Sequence, residues 1–97
     1  MYEINNTVRD SIFDGLKVTV VSKTETCETL LITLEKNALF PEHTSPRETV
    51  LLVLVGAIDF SISAQEFLIE QGQSFSFPAY EKHHVMAKED SKFLIIR

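Results

Sequence analysis

Short apolar segments follow one another along most of the chain. Residues 16–21 and 29–34 are rich in β-branched and aliphatic side chains, which is typical of strands. The segment from Thr49 to Val55 is almost continuously apolar, and residues 58–63 alternate between apolar and polar side chains, the period of a strand with two different faces. Gly56 separates these two segments, so the pattern predicts a hairpin that turns at Gly56.

The second half of the chain continues the pattern of short strands. Four more are predicted, at residues 67–69, 74–77, 84–87 and 93–96. No window has the length and period of a long helix, and only residues 8–13 are suited to a helical turn. Eight or nine strands at a spacing of roughly ten residues predict an all-β sandwich or jelly-roll barrel rather than a parallel α/β sheet.

Length and composition are those of one ordinary globular domain. The 97 residues are 44% hydrophobic and 24% charged, which is enough for one core and leaves no room for a second module. We expect a single domain over residues 1–97, with an N-terminal arm at residues 1–14 and the barrel at residues 15–97.

Charge and apolar patterning exclude several classes of partner. The net charge is -5 and the nine Lys and Arg residues form no basic stripe, so we expect no nucleic-acid partner. Residues 1–14 are too polar for a signal peptide, and the longest apolar run is far below the ~20 residues of a membrane span. We therefore expect no membrane partner and a cytoplasmic location. Cys27 is the only cysteine and cannot form an intrachain disulfide; we expect it to be a small buried residue and assign it no chemistry.

The apolar pattern of one strand predicts how the protein assembles. Residues 50–55 are apolar at both odd and even positions, so both faces of this strand should be covered. The barrel core covers one face. A second copy of the chain is the simplest cover for the other, which predicts a homodimer.

All three histidines lie in two polar segments at predicted strand ends. The first segment runs from His43 into the apolar strand that ends at Gly56, and the second runs from Gly72 through Pro78 to His83. In order and spacing, with a hairpin between them, these segments resemble the two sequence motifs of the cupin family. The resemblance covers roughly residues 30–97. It implies a double-stranded β-helix, the jelly-roll barrel, with its site in the barrel mouth.

Four positions decide what the resemblance implies about metal. Metal-binding cupins use three histidines and one Glu or Gln around a divalent ion. His43 and His83 match the first and last histidines, but Ser45 and Thr49 stand at the other two ligand positions. Tyr80 stands where the second motif has a glycine.

A metal site would need a third ligand, because most sites for Zn, Fe, Mn or Ni take three or more protein ligands. Glu48 is the nearest candidate, if a shift of register after Pro46 or a bulge turns it inward. The metal prediction is therefore a site of His43, His83 and Glu48. Strand alternation places Glu42 and His84 on the faces opposite the two site histidines.

Three functional hypotheses remain open. The leading one is a binding module that holds a small polar molecule or a weakly bound metal in the barrel mouth, lined by His43, Ser45, Thr49, Leu51, Val53, Phe77, Tyr80 and His83. The second is a metal-dependent enzyme of the oxygenase or isomerase type that uses His43, His83 and Glu48. The third is a sensor that passes ligand occupancy to a protein partner. Against all three stands a plain structural role, in which the histidines are hydrogen-bonded rim and cavity residues.

Overall fold

The computed structural model describes residues 2–97. Within this range the chain forms one short helix, α1 (Thr7–Asp10), and nine strands. The strands are β1 (Leu16–Lys23), β2 (Glu28–Leu34), β3 (Leu39–His43), β4 (Thr49–Val55), β5 (Ala57–Ile62), β6 (Gln65–Glu70), β7 (Ser74–Phe77), β8 (His83–Ala87) and β9 (Ser91–Ile96). None of the helical structure in residues 2–97 is long and apolar enough to cross a bilayer.

The strands form two antiparallel sheets. Five strands make one sheet in the order β1-β2-β9-β4-β7, and four make the other in the order β3-β8-β5-β6. The inward faces of both sheets supply the core, in which Leu51, Phe60 and Phe93 are each at most 1% exposed. The predicted all-β jelly roll is confirmed.

The predicted hairpin at Gly56 is wrong. β4, before Gly56, pairs with β7 and β9, whereas β5, after it, pairs with β6 and β8. Gly56 is thus a corner where the chain crosses from one sheet to the other. Its φ is +85°, and a Cβ at this position would lie 2.4 Å from the Asp90 carbonyl oxygen. Glycine is required both by the left-handed backbone and by this close approach.

The hairpin between the two motif segments is formed by β5 and β6. Its turn contains Ser63 and Ala64, whose φ angles of +51° and +57° are those of a tight hairpin turn of the type I′ class. In this turn two ordinary residues take up positive φ angles, and no glycine is involved.

β3 is a strand that the apolar pattern did not predict, because it contains Pro41 and Glu42. It pairs Phe40 with Val85 and His43 with His83, so that two residues of β3 stand opposite one residue of β8. This bulge accommodates Pro41, which has no N–H group to donate to the ladder.

The outer face of the five-stranded sheet is partly covered by the N-terminal segment, residues 2–14. Leu31 alternates with the core residues Leu30 and Ile32, so it faces outward, yet it is fully buried. On the same face, Lys92 Nζ donates a hydrogen bond to the Val8 carbonyl at 2.8 Å and lies 5.6 Å from the centre of the Phe13 ring. The segment therefore packs across this face.

The outer face of β4 is less completely covered. Val50 is 40% exposed, and Leu52 and Leu54 are half-buried. A second copy that covers these residues stays a prediction.

Cys27 is exposed, contrary to the expectation of a buried residue. It lies in the turn between β1 and β2, where its N–H group donates to Thr24 Oγ1 at 3.0 Å and its carbonyl accepts from the Thr24 N–H group at 2.7 Å. These backbone requirements of the turn, rather than side-chain burial, set its position.

Candidate functional site

The bulge in β3 brings two histidines from distant parts of the sequence into contact. His43 at the end of β3 pairs directly with His83 at the start of β8. Their ring centroids are 4.2 Å apart in an edge-to-face arrangement. Phe40 also stacks on His43, with ring centroids 4.0 Å apart. The predicted meeting of His43 and His83 is therefore present.

Both rings are held by the backbone in the same tautomer. His43 Nδ1 lies 2.6 Å from the Pro41 carbonyl oxygen, and His83 Nδ1 lies 2.9 Å from the Glu81 carbonyl oxygen. A carbonyl oxygen can only accept, so each Nδ1 carries the proton and donates it. In the neutral rings each Nε2 is then an acceptor, available to a hydrogen-bond donor or a metal.

His83 is held in a largely apolar environment. It is 4% exposed and packs between Phe60 and Phe77, at ring-centroid distances of 5.3 and 4.6 Å. Burial lowers the pKa of His83 below the usual histidine value; the Glu81 carbonyl opposes this, and the nearby His43 and His84 lower the pKa further. His83 is therefore neutral at physiological pH and keeps its Nε2 lone pair.

Two buried hydroxyls occupy the positions where the cupin resemblance implies ligands. Ser45 Oγ and Thr49 Oγ1 are 2.9 Å apart, and each lies 2.9 Å from the Arg47 carbonyl oxygen. Ser45 is 3% exposed and Thr49 is fully buried. These hydroxyls are thus engaged with each other and with the loop backbone.

Arg97 is a site residue that the sequence analysis missed. Backbone hydrogen bonds in both directions between Arg97 and Glu28 extend the β2–β9 ladder by one residue. The guanidinium then donates from Nε to Glu28 Oε1 at 3.0 Å and from Nη1 to Ser45 Oγ at 3.2 Å. A positively charged group therefore stands beside the Ser45 position. No local pattern in the sequence identifies Arg97, because its position depends on the pairing of β2 with β9, which apolar patterns alone do not reveal.

A cavity of about 200 Å³ lies against these residues, and we call it the mouth cavity. Its polar lining includes His43, Ser45, His83 and Arg97, and its apolar lining includes Val18, Leu30, Ile32, Phe40, Phe77 and Ile95. At about 30 Å³ per water molecule, this volume holds roughly six or seven waters. The cavity suits a small molecule with both polar and apolar parts.

The other residues predicted for the mouth lie elsewhere. Thr49 stands behind Ser45, while Leu51 and Val53 are fully buried in the core. Tyr80 is 74% exposed and has a φ of +64°, the conformation for which the family motif uses glycine. That conformation turns the backbone so that the Tyr80 N–H group donates to the Ser45 carbonyl at 2.8 Å.

Glu48 is not brought to the histidines. It is exposed, one residue before the buried Thr49, because the bulge falls in β3 rather than in the loop before β4. No group of three or more His, Cys, Asp or Glu side chains with metal-binding geometry occurs within residues 2–97.

The donor set does not fit the metal centre that the resemblance implies. Two imidazole nitrogens remain, the two missing ligands are replaced by hydroxyls that already have hydrogen-bond partners, and Arg97 adds a fixed positive charge at Ser45. Hydroxyl groups are poor substitutes for a histidine and a carboxylate as ligands of transition metals. The arrangement is better suited to hydrogen bonding of a small molecule.

Two larger grooves, of about 500 and 420 Å³, lie on the outer face of the four-stranded sheet. Both are lined by Glu42, Ser61, Glu66 and His84. Strand alternation is thus confirmed for Glu42 and His84, which face away from the mouth cavity. These grooves are larger but lack the buried, oriented histidines, so we take the mouth cavity as the candidate site.

Comparisons with solved structures agree with this fold. The chain is similar to an RmlC-like cupin protein from Desulfovibrio desulfuricans, with 21% identity, a TM-score of 0.86, and coverage of 99% of this chain and 95% of the other. It is also similar to a conserved protein of unknown function from Streptococcus pyogenes, with 20% identity, a TM-score of 0.77, and coverage of 99% and 93%. KdgF from Halomonas sp. matches with 20% identity, a TM-score of 0.78, and coverage of 84% and 76%.

No curated protein is similar enough in sequence to this chain to serve as a relative. The sequence profile described as a cupin domain, however, matches residues 30–96. That range contains both motif segments and both site histidines. It also contains the eight strands from β2 to β9, except for the first two residues of β2. The chain therefore belongs to the cupin family.

Proposed function

We propose that this cupin is a binding module whose mouth cavity holds a small polar molecule through His43 and His83. The observation that carries the proposal is the pair of Nε2 acceptors, fixed in one tautomer by the Pro41 and Glu81 carbonyls. Groups that donate hydrogen bonds, such as a hydroxyl or an amide N–H, match two such acceptors. The apolar lining of the same cavity fits a short carbon skeleton.

Preorganisation supports binding at this place. Each imidazole is already hydrogen-bonded at Nδ1 and packed against phenylalanine rings, so little side-chain entropy is lost when a ligand arrives. The neutral state of His83 leaves its Nε2 free to accept at physiological pH. A ligand that donates to both rings would therefore meet a rigid site.

The test is a titration with small hydroxylated and amide-bearing molecules in the presence of a metal chelator. We expect at least one of them to shift the ring resonances of His43 and His83 in NMR spectra and to raise the melting temperature. A ligand at 100 times its dissociation constant adds about 2.7 kcal/mol to the free energy of unfolding.

The neighbouring histidine provides a matched control. His83→Phe preserves aromatic packing against Phe60 and Phe77 but removes Nε2, so it should abolish the response. His84→Phe makes the same change on the outer face and should leave the response intact. A response that survives in His83→Phe would place the ligand elsewhere and reject the proposal.

A weakly held metal, short of the four-ligand centre that these residues do not fit, is the second candidate, because the same two Nε2 atoms can bind a divalent ion. Elemental analysis of protein purified without a histidine tag distinguishes the two candidates. Stoichiometric Zn, Fe, Mn or Ni that is lost in His83→Phe but retained in His84→Phe would favour the metal over the small molecule.

A further inference from the structure

Three cationic side chains meet beside the mouth cavity in a protein whose net charge is -5. Lys23, Arg47 and Arg97 line a separate cavity of about 210 Å³, together with Thr24, Glu28 and Pro46; we call it the rim cavity. Glu28 is the one acidic side chain among these lining residues, so the side chains of the lining carry a formal charge of +2. The rim cavity is thus a positive region on an acidic protein.

The pairing of charges at the rim cavity differs from that at two lysines elsewhere on the surface. Lys17 has a carboxylate partner in Asp14, and Lys88 has one in Asp59. At the rim, by contrast, Lys23 and Arg97 share Glu28, at 3.9 and 3.0 Å. The rim cavity therefore keeps an excess of positive charge that an anion would balance.

Arg97 still has donors available. A guanidinium has five N–H groups, and hydrogen bonds to other residues in the described part of the chain engage two of them, at Nε and Nη1. Glu28 and Ser45 also hold the guanidinium in place, with its side chain 23% exposed. An oriented guanidinium with free N–H groups is well suited to bind carboxylate or phosphate oxygens.

Arg97 belongs to the lining of both cavities. We propose that the rim cavity is an oxyanion subsite, which binds a carboxylate or phosphate group of the molecule whose uncharged part occupies the mouth cavity. This inference rests on the proposed function for the occupant of the mouth cavity. The ligand class is then a small hydroxylated acid or phosphate ester.

Glu28 gives the proposal an unusual consequence. Its carboxylate competes with an incoming anion for Arg97 and Lys23, so its removal should strengthen anion binding. Glu28→Gln keeps an oxygen that can accept from Arg97 Nε but eliminates the negative charge. A simple structural salt bridge would not predict tighter binding of anions in this variant.

The experiment uses lactate, its neutral amide lactamide, and inorganic phosphate, each titrated at low ionic strength and followed by NMR. Lactate and lactamide differ only in the carboxylate group, and phosphate tests the rim alone. The variants are Arg97→Gln, Arg47→Gln and Glu28→Gln, with Arg9→Gln as the control. Arg9 pairs with Asp10 on the N-terminal segment, so the control makes the same charge change outside the rim.

We expect lactate or phosphate to perturb the resonances of Thr24 and Arg47, and lactamide to leave them unchanged. Arg97→Gln should weaken anion binding about tenfold, the effect of one charge-assisted hydrogen bond. Arg47→Gln should weaken it less, Glu28→Gln should strengthen it, and Arg9→Gln should not alter it. If Arg97→Gln fails to fold, the Arg47 and Glu28 variants decide the test.

The outcomes separate this inference from the proposed function. Equal responses to lactate and lactamide, confined to the histidines, would overturn the oxyanion subsite and leave the mouth site standing. Perturbation of the rim by phosphate, with no molecule affecting the histidines, would support the subsite and count against the mouth site. Binding of phosphate without lactate, or the reverse, identifies which oxyanion the subsite takes. No response of the rim to any probe would overturn the inference.

Discussion

Gly56 and Gly72 have the same backbone conformation in different surroundings. Both have a φ of +85°, but a Cβ at Gly56 would lie 2.4 Å from the Asp90 carbonyl oxygen and 2.5 Å from Ser91 Oγ, whereas a Cβ at Gly72 meets nothing within 4 Å. The two residues therefore separate the cost of a left-handed backbone from the cost of a steric clash.

We expect both alanine substitutions to destabilise the protein, and Gly56→Ala to do so more. Gly72→Ala should lower the free energy of unfolding by about 1–2 kcal/mol, the strain of an L-residue in this region. Gly56→Ala should lower it by a further ~1–3 kcal/mol, because the loop before β9 must move. Urea denaturation of both variants measures the difference, and equal losses would refute the close approach at the corner.

His83 should make stability depend on pH. Its pKa is lowered in the folded protein, so below about pH 6.5, the usual histidine value, the unfolded chain binds a proton that the folded chain does not. The free energy of unfolding should therefore fall as the pH drops below about 6.5, with a slope of at most about 1.4 kcal/mol per pH unit. The loss ends below the folded-state pKa, where both states are protonated.

The variants used for ligand binding also isolate this effect. Urea denaturation between about pH 7.5 and 5 should show a smaller slope in His83→Phe than in the wild type. His84→Phe should keep most of the wild-type slope, because His84 is the smallest of the causes that lower the pKa of His83. An unchanged slope in His83→Phe would mean that other groups cause the acid sensitivity.

At the scale of elements, we expect the N-terminal segment to stabilise the five-stranded sheet by covering part of its outer face. Leu31 is fully buried on the outer face of β2, and Lys92, on the same face of β9, contacts Val8 and Phe13 of the segment. We expect Leu31→Ala to lower the free energy of unfolding by about 2–5 kcal/mol, as for a core leucine. In a chain lacking residues 2–13, the same substitution should cost much less.

Comparison of these two losses by denaturation is a double-mutant cycle between Leu31 and the segment. Val53→Ala, in the core and facing the opposite side of the sheet, is the control and should cost the same with or without the segment. Additive losses for Leu31 and the deletion would show that something else buries Leu31.

The strands were predictable where apolar residues dominate, as in β4 and β9, because packing and propensity there agree. β3 was missed since Pro41 and Glu42 break the pattern, and the bulge that accommodates them depends on a partner strand about forty residues away. Gly56 was misassigned for a related reason. Two strands flanking a glycine give the same local pattern whether they pair or cross between sheets.

At the scale of the molecule, the candidate site was predictable only as far as the family motifs reach. They identified His43 and His83, which the structure brings together. They did not identify Arg97, because its contact with Ser45 spans 52 positions and depends on the register of β2 with β9. Tyr80 was included for its place in the motif, but that place is defined by a backbone angle rather than by the direction of the side chain.

The homodimer is the prediction that belongs to the whole molecule. The outer face of β4 still exposes 40% of Val50, and Val50 is directly beside Ile96 in the sheet. In a dimer with two-fold symmetry, the same apolar patch of each copy packs against its counterpart. Such a contact would cover the exposed outer face of β4. Light scattering should therefore show a dimer at micromolar concentration.

A charged substitution on the outer face of β4 tests whether this face is the dimer interface. Val50→Glu should shift the protein to a monomer, because it places two carboxylates in an apolar contact where they have no partners. Leu68→Glu makes a comparable change at a residue of β6 that is 54% exposed on the other sheet, and it should leave the dimer intact. A monomeric wild type would refute the dimer, and dissociation by Leu68→Glu but not by Val50→Glu would move the interface to the four-stranded sheet. The mouth cavity is lined by core residues such as Ile32 and Phe77, whereas the predicted interface lies on the outer face of β4. Ligand titrations of the Val50→Glu monomer and the wild-type dimer should therefore give the same affinity.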